Sequence, residues 1–394
     1  MAETKRYLDA NGLNKFWTEV KKYYSSTEDK IVDNASAANK LANSRVVKLD
    51  GDVTGKAEFD GSSNATITAK VDILGIEDHE IKKMFGKRIS VSNPTDLISV
   101  LSSSDLASGS VVKVTESMEL PSRIEVVGGK DITIEIEDGV VLTTKPNDRF
   151  LSIKEGSTVE ICGGGTISHT ASAQPIIFCY GYPTDSTGKD CTVILDGVTY
   201  EITNPSNLNF VDMNGIIYTN GSYSGANVVI KSGTFRGGFF YFAAGGSVAI
   251  EGGEFECPEG PVIYVKRGLP LTISGGRFES KAVSNEGKWA HWNNGCVNSL
   301  GAIMVEACNY GGAGNPIVNI TGGEFIVPPV AEDAPYNNYG IMIVDWDGNK
   351  ADMSGTTVSY QHAEVTGHTT TNGSTEPSDG WYYFNDDNTT FVEL

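Results

Sequence analysis

The chain has 394 residues, of which 45 are glycine and only 20% are charged. Its 30 Lys and Arg face 50 Asp and Glu, and the net charge of −20 argues against nucleic acid or anionic membranes as partners, since phosphate binding needs clustered basic side chains. No apolar stretch reaches 18 residues and the N-terminus lacks an apolar secretion signal, so we expect no membrane insertion and synthesis in a cytoplasm.

Residues 1–44 are predicted to form an N-terminal helical segment that serves attachment and trimerisation. Leu13, Phe16, Trp17 and Val20 recur at helical spacing. The stripe continues at intervals of three and four residues, as in a heptad repeat, through Tyr24, Thr27, Ile31, Asn34, Ala38 and Leu41. Three helices associating along this stripe, or one helix packed on its own domain, would both explain it. An exposed Phe16 and Trp17 near the terminus favour docking onto a larger partner.

Residues 45–91 are predicted to form a small β module followed by a connector. Short antiparallel strands are expected at 45–49, 56–59 and 64–71, with Asp-Gly turns between them. Such a small block buries little surface alone and depends on oligomerisation. Residues 75–91 contain Lys82, Lys83, Lys87 and Arg88, and we interpret them as a solvated linker, with a short helix as one option.

Residues 92–360 are predicted to form one elongated β body, because four segments repeat. They share an alternating strand, a turn containing one or two glycines and a phenylalanine, and they lie at 228–235, 248–255, 271–278 and 318–325. Their central isoleucines are 20, 23 and 47 residues apart, the last interval being about two periods. The turn glycines predict positive φ, and each phenylalanine is expected to point inward and stack on the next. Because parallel crossovers are almost always right-handed, the repeat predicts an all-β fold, a right-handed single-stranded parallel β-helix similar in architecture to pectate lyase.

Weaker copies of the repeat extend toward the N-terminus. They lie at 193–200, 159–167 and 131–142, and the first strand is expected at 110–114. A helix at 94–101 is predicted to cap the first open layer of the core. Residues 361–394, which are rich in Thr and Asn, are predicted to form a C-terminal cap.

Two interruptions of the repeat are candidate binding loops, since insertions in a solenoid emerge on one face. Residues 168–191 contain Phe178, Tyr180 and Tyr182. Residues 281–317 contain side chains that stack on sugar rings or hydrogen-bond their hydroxyl groups. With a later acidic and aromatic segment, the predicted glycan-binding residues are Trp289, His291, Trp292, Asn293, Tyr310, Asp345, Trp346 and Asp347. The alternative is that the tryptophans only pack the loop onto the body.

No catalytic residues, metal site or cofactor are predicted. Glu254 is expected to form a surface ion pair with Arg277 on the next strand, and a repeat places carboxylates in columns by itself. The six cysteines show no Cys-x-x-Cys pair, and we expect free core thiols. The five histidines lack metal-ligand spacing. The sequence leaves enzymatic activity undecided, and the absence of a clear catalytic pair argues against it.

The N-terminal motifs resemble bacteriophage tail-fibre proteins. The opening Tyr-Leu-Asp-Ala-Asn-Gly-Leu-Asn-Lys-Phe-Trp at 7–17 resembles their virion-proximal start. The run Ala-Asn-Lys-Leu-Ala-Asn-Ser-Arg at 38–45, with Leu-Asp-Gly-Asp-Val-Thr-Gly at 49–55 and Phe-Asp-Gly-Ser at 59–62, is similar to a linker module in those fibres. The resemblance covers about residues 5–75. It implies a homotrimeric virion protein, attached to a tail or baseplate protein through Leu13, Phe16, Trp17 and Val20, with a β-helix directed outward.

The sequence therefore favours a tail-fibre or tailspike-like receptor-binding protein that adheres to a bacterial surface polysaccharide. It would be assembled in the host cytoplasm and reside in the virion. The alternatives are a tailspike depolymerase, acting as lyase or hydrolase, and a purely structural tail component. Fold architecture alone does not separate these functions.

Overall fold

A computed structural model gives the fold. It describes residues 14–22, 45–49, 53–59, 66–67, 70–71, 79–170, 174–180, 189–203, 215–219, 225–243, 245–258, 260–266, 269–282, 290–292, 295–297, 301–307, 317–328, 340–345, 357–360, 364–365, 381–384 and 391–393. The chain divides into two compact units, Met1–Ile76 and Glu77–Leu394. Residues 77–91, which the sequence grouped with the β module, thus belong to the second unit.

The first unit contains one helix and a three-stranded antiparallel sheet. Helix α1 spans residues 14–22, and the strands are Arg45–Leu49, Val53–Phe59 and Lys70–Val71. Arg45 pairs with Phe59 and Val53 pairs with Val71. The predicted strands are confirmed in number and antiparallel order, although the second begins three residues earlier and the third is shorter than expected. The predicted heptad positions from Thr27 to Leu41 lie outside the described residues.

The second unit begins with two helices, α2 at His79–Phe85 and α3 at Pro94–Ser102. Asn93 caps α3, because its Oδ1 accepts a hydrogen bond from the backbone N–H of Asp96 at 2.9 Å. Leu97 and Leu101 are fully buried in the core, as expected for a cap over its first layer. No helix in the described part of the chain is long and apolar enough to cross a membrane.

Three long sheets form the rest of the second unit, and successive strands visit them in turn. Sheet 1 contains Arg88–Val91, Ser110–Val114, Asp131–Ile136, Thr158–Gly163, Cys191–Asp196, Ala226–Ile230, Val248–Ile250, Pro270–Ile273, Ile317–Ile320 and Thr357–Tyr360. Sheet 2 contains Met118–Glu119, Val141–Thr143, Thr166–Thr170, Thr199–Thr203, Thr234–Arg236, Glu254–Cys257, Arg277–Ser280, Glu324–Ile326 and Glu364–Val365. Sheet 3 contains Ile124–Val126, Leu151–Ile153, Ile177–Cys179, Gly215–Thr219, Phe239–Phe242, Ile263–Lys266, Ile303–Ala307, Ile341–Asp345, Trp381–Phe384 and Phe391–Glu393.

Pairing within the three sheets is parallel, apart from the last two strands of sheet 3, which pair antiparallel. The protein is therefore mostly β, with few helices and with parallel strands in sheets. This topology is compatible with the predicted parallel β-helix. Sheet 1 begins at Arg88–Val91, before the first strand expected from the sequence, because this segment also alternates and pairs with Ser110–Val114.

The repeated segments align as predicted. Ile230 pairs with Ile250, Ile250 with Ile273, and Ile273 with Ile320. The glycine before each sheet 2 strand of these repeats has a positive φ, between +104° and +133°. The prediction that the 47-residue interval holds two periods was wrong, because Ile320 pairs directly with Ile273. The interval contains instead an antiparallel hairpin, Ala290–Trp292 with Gly295–Val297, within the predicted insertion.

The core lies between the inward faces of the three sheets. It is apolar along their whole described length, and its largest fully buried side chains include Phe235, Phe240 and Phe278. The expected stacking of the repeat phenylalanines is confirmed. Cys162, Cys179, Cys191 and Cys257 are free thiols, also as expected, and the last three are buried.

Candidate functional site

A column of aromatic side chains runs along sheet 3 on the face opposite the core. Phe178, Tyr218, Tyr241 and Tyr264 occupy equivalent positions on neighbouring strands. Successive ring centroids are 5.2, 4.7 and 5.1 Å apart. They face away from the core because strand side chains alternate, and their neighbours, such as Phe240, point inward onto Phe235. All four rings are buried.

The column ends near Ser152 in a group of polar and aromatic side chains, Arg149, Lys154, Gln174, Phe178 and Tyr180, which we call the Arg149 cluster. The Arg149 guanidinium lies 4.6 Å from the Phe178 ring centroid. Its Nη1 donates to the Tyr180 hydroxyl at 3.2 Å and its Nη2 donates to Oε1 of Gln174. Tyr180 stacks on Phe178 at 4.2 Å, and the Lys154 ammonium lies 5.0 Å from the Tyr180 centroid.

A buried histidine positions the Gln174 end of this cluster. His169 Nε2 lies 3.0 Å from the backbone carbonyl oxygen of Gln174, and its Nδ1 lies 2.7 Å from Thr144 Oγ1. Burial lowers the pKa of His169, so the ring is neutral at pH 7. A neutral His169 has one ring N–H, and because a carbonyl oxygen can only accept, this N–H is on Nε2 and donates to Gln174. Nδ1 then accepts a hydrogen bond from the hydroxyl of Thr144. The segment before Tyr180 is therefore anchored to sheet 2.

The Arg149 cluster combines the group types that hold a sugar. Half-buried Tyr180 and Gln174 offer a ring, a hydroxyl and an amide, while Arg149 and Lys154 offer charged donors. Phe178 and Tyr180 belong to the predicted 168–191 interruption, but the sequence did not single out Arg149, Lys154 or Gln174. Only the strand register could have indicated these residues in advance, because it places Ser152, and with it the neighbouring Arg149 and Lys154, beside Phe178.

A second polar cluster joins helix α2 to the outward face of sheet 1, and we call it the α2 cluster. It consists of His79, Lys82, Lys83, Asp131 and Glu160. His79 bonds Asp131 through Nδ1 and lies 3.3 Å from Glu160 through Nε2. Lys82 pairs with Asp131 at 3.0 Å and Lys83 pairs with Glu160. The prediction of a solvated linker was therefore wrong for this segment, because Lys82 and Lys83 hold two buried carboxylates.

The two carboxylates of the α2 cluster are unsuited to general acid catalysis. Burial by itself raises the pKa of Glu160, but hydrogen bonds from His79, Lys83 and Thr133 lower it to about 2. Burial likewise raises the pKa of Asp131, and its bonds to His79 and Lys82 outweigh this and lower it. A glycosidase acid needs a raised pKa instead. The cluster is an ion network that fastens α2 to the sheet.

Two members of the α2 cluster, His79 and Glu160, and the neighbouring Glu80 are potential metal ligands, since their ligand atoms lie within 4.8 Å of one another. Burial lowers the pKa of His79, but its hydrogen bonds to Asp131 and Glu160 outweigh this and raise it to about 9. His79 is therefore protonated at neutral pH, and Lys231 pairs with Glu80 at 3.1 Å and lies 3.8 Å from Glu160. A protonated histidine cannot bind a metal, and the ammonium groups repel one, so these residues do not fit a cation.

The carboxylate columns of sheets 1 and 2 form surface ion pairs, with one partner different from the prediction. Arg277 pairs with Glu279 at 2.7 Å and with Glu324 on the following strand at 3.3 Å. Glu254 occupies the register position beside Arg277. The hydrogen bond to Glu279 and the charge of Glu324 raise the pKa of Arg277, and the charge of Glu254 adds to these larger effects, but the ion pairs of Arg277 among the described residues are with Glu279 and Glu324.

Most of the predicted glycan-binding residues fall outside the description. Trp289, Asn293, Tyr310, Trp346 and Asp347 lie outside the described residues. The backbone of His291 and Trp292 belongs to the hairpin, where His291 pairs with Cys296. Asp345 ends a sheet 3 strand and pairs with Ala307. Their side chains are outside the description, so these predictions stay untested.

The predicted attachment residues lie on α1, apart from Leu13, which is outside the described residues. Phe16 and Trp17 are 53% and 54% exposed, and their rings meet edge to face with centroids 6.3 Å apart. Val20 is partly buried. The expected exposure of the aromatic pair is confirmed, and two adjacent exposed rings leave an apolar surface on the helix.

The chain matches no protein-family model, no curated protein and no solved structure.

Proposed function

We propose that this protein is a bacteriophage tail-fibre or tailspike-like receptor-binding protein that adheres to a surface glycan of a bacterium. The N-terminal motifs at 7–17 and 38–62, which resemble tail-fibre proteins, support the assignment to a virion. The net charge of −20 argues against nucleic acid or an anionic membrane and is compatible with a glycan that is bound by hydrogen bonds and stacking.

We further propose that the three sheets are the faces of a right-handed, single-stranded parallel β-helix. Every third strand joins the same sheet, and the pairing is parallel. Crossovers between parallel strands are almost always right-handed, which supports the hand. A rigid body of this kind would hold the side chains of a binding surface in fixed positions relative to one another.

The single observation that carries the adhesion proposal is the Arg149 cluster. It holds a half-buried tyrosine ring, an amide and two cationic groups together at one end of sheet 3. Stacking rings and hydrogen-bond donors are what carbohydrate recognition requires, whereas the buried carboxylates of the α2 cluster are neutralised by their partners.

Attachment would use the exposed pair Phe16 and Trp17 on α1, which presents apolar surface to a tail or baseplate protein. A homotrimer would present three glycan sites at once. Linked weak sites gain avidity without any new contact, which suits adhesion to a repetitive polysaccharide.

The test incubates the purified full chain with purified surface polysaccharides from a panel of bacterial strains and follows both by gel filtration. We expect one polysaccharide to co-elute with the protein at unchanged polymer size, and a Tyr180→Ala variant to lose much of this binding. A matched control, Val141→Ala, removes an exposed side chain outside both candidate binding loops and should bind normally. A fall in polymer mass would establish a depolymerase instead.

If none of the tested surface polysaccharides co-elutes with the protein, a purely structural role in the tail becomes the better proposal. Trp289→Ala and Trp292→Ala test the predicted loop in the same assay.

The attachment step is tested separately with Phe16→Ser and Trp17→Ser, which should abolish incorporation into virions while leaving glycan binding intact. Sedimentation at equilibrium gives the number of copies, for which three are expected.

A further inference from the structure

Arg149 carries a buried positive charge that no acid neutralises among the described residues. Its side chain is 7% exposed. Its two bonded amino groups donate to neutral oxygens, the hydroxyl of Tyr180 and the amide oxygen of Gln174. Its Nε is buried with no hydrogen-bond partner, and so is the Oγ of Ser152 on the adjoining strand.

The nearest carboxylates are already engaged by other cations. Asp148 pairs with the Arg123 guanidinium at 3.5 Å and accepts the backbone N–H of Arg123 at 3.2 Å. From Arg149 it accepts the backbone N–H. Glu125 pairs with Arg123 at 3.1 Å and with Lys154 at 3.2 Å. Three cationic side chains thus face two carboxylates, which leaves one positive charge in excess in a chain whose net charge is −20.

A buried charge without a counter-ion is unfavourable, since burial removes the hydration that a cation has in water. The ring of Phe178 compensates part of this at 4.6 Å, but an aromatic face carries no net charge. Buried charges in proteins are as a rule paired, and an anion would pair this one. The planar guanidinium has five donors in a fixed fork, which matches a carboxylate with two parallel hydrogen bonds.

We propose that the Arg149 cluster is a subsite for the carboxylate of an acidic sugar. This inference rests on the proposed function, and it names the class of glycan. Arg149 would bind the carboxylate, Lys154 would add a second positive charge, and Gln174 would donate its amide N–H groups to sugar hydroxyls. A sulfate or phosphate ester presents the same kind of charge, but its tetrahedral oxygens match the planar fork less well.

The competing explanation is that Arg149 only fastens residues 174–180 to the strand at Leu151–Ile153. The two explanations differ in what they predict for a free ligand. A purely structural arginine gives no discrimination between an acidic sugar and its neutral counterpart, whereas a carboxylate subsite discriminates between them.

The experiment measures binding of glucuronate and of glucose to the full chain by saturation-transfer NMR at neutral pH. We expect a glucuronate signal and none from glucose. Arg149→Gln should weaken glucuronate binding by about thirtyfold, because a buried charge pair then loses one partner. Arg149→Lys keeps the charge and loses the fork, so it should bind with intermediate strength. Arg277→Gln removes the same charge from an exposed ion pair on sheet 2, away from the Arg149 cluster, and should bind within twofold of the unmodified protein, about the variation expected of a surface pair.

Circular dichroism and thermal melting of each variant show whether the fold persists, and if Arg149→Gln fails to fold, Arg149→Lys decides the question. Equal binding of glucuronate by the unmodified protein and a folded Arg149 variant would overturn the inference, as would no binding of glucuronate at all. Displacement of glucuronate by a lower concentration of inorganic sulfate would overturn the carboxylate assignment in favour of a sulfate ester.

The same variants separate this inference from the proposed function. If a surface polysaccharide still co-elutes with Arg149→Gln at unchanged affinity, adhesion stands and the anionic subsite is wrong. If glucuronate binds through Arg149 while no surface polysaccharide does, the subsite stands and the adhesion proposal is wrong.

Discussion

Phe255 and Phe278 lie 23 residues apart in the chain, yet their rings stack with 4.5 Å between the centroids and 12° between the planes. Each stacks in turn on another repeat phenylalanine, Phe235 at 4.7 Å and Phe325 at 4.9 Å. Tyr200 extends the stack at 5.1 Å. The five rings form a stack along the inward face of sheet 2, and each of the three inner rings, Phe235, Phe255 and Phe278, stacks between two neighbours.

Replacing a ring inside the stack should destabilise the body strongly. Phe278→Ala removes a fully buried ring that contacts a neighbour on both sides, and we expect a loss of about 3–5 kcal/mol in the free energy of unfolding. Urea unfolding followed by circular dichroism measures it. The control Ile317→Ala alters a side chain that is 48% exposed and should change the midpoint little. Equal shifts in the two variants would show that the stack contributes no more than surface contacts.

The α2 cluster should make stability depend on pH in two opposite ways. The pKa of His79 is raised from 6.5 to about 9 in the folded state, so its stabilisation is complete below pH 6.5 and is lost as the pH rises toward 9. The pKa of Glu160 is lowered from 4.5 to about 2, so its contribution is present above pH 4.5 and is lost as the pH falls toward 2. The network is strongest between these windows.

The His79 part of this prediction is tested with His79→Gln. The difference in urea midpoint between the unmodified protein and the variant should be largest near pH 6 and should shrink between pH 6.5 and 9. Lys113→Gln, which breaks an exposed ion pair on the same sheet, controls for loss of a surface charge. A difference in urea midpoint that stays constant over this range would mean that His79 stabilises the fold through packing rather than through its charge.

Gly163 and Gly128 should respond differently to the same substitution. Both have a positive φ, +108° and +81°, so alanine is strained at either position. A Cβ at Gly163 would lie 2.1 Å from the carbonyl oxygen of Ile136, whereas a Cβ at Gly128 meets nothing within 4 Å. We expect Gly163→Ala to destabilise by about 2 kcal/mol more than Gly128→Ala, because only the former displaces a strand backbone. Unfolding midpoints that agree within error would contradict this close approach.

The core thiols should resist alkylation. Cys179 and Cys257 are fully buried, and burial and nearby acidic charges raise the pKa of Cys162 to about 11, so little thiolate forms there at pH 7.5. Iodoacetamide followed by peptide mass spectrometry should leave Cys162, Cys179, Cys191 and Cys257 unlabelled in native protein and label all four after denaturation. Fast labelling of Cys162 in the native state, or a disulfide at any of the four, would be inconsistent with the structure.

The repeat was predictable because its signal is local. Alternation over three or four residues, a glycine turn and a phenylalanine define one unit, and the unit recurs often enough to fix the register from Ile230 to Ile273. The prediction that the 47-residue interval holds two units was wrong because the period alone cannot distinguish two units from one unit with an insertion. The strand at Arg88–Val91 was missed because four residues carry too little pattern.

The candidate site was much less predictable. The 168–191 interruption directed attention to Phe178 and Tyr180, but Arg149 lies in a different segment and meets them only through sheet 3. The sequence around Lys82 and Lys83 looks the same whether these side chains are exposed to solvent or paired with buried acids. Their partners, Asp131 and Glu160, are on strands about fifty to eighty residues further along the chain.

The sequence by itself determined that the strands are short and that their side chains alternate between the two faces. It also determined that isoleucine stacks on isoleucine and phenylalanine on phenylalanine. The reason is that a unit that cannot bury its apolar face alone must bury it against its own copies. Only the tertiary structure decided which charges are buried and paired, as in the α2 cluster, and which guanidinium is buried with no acidic partner among the residues that the structure describes, as at Arg149. The physical reason is that apolar burial follows from period, whereas the partner of a charge depends on which distant segments the completed sheets bring within a few ångströms.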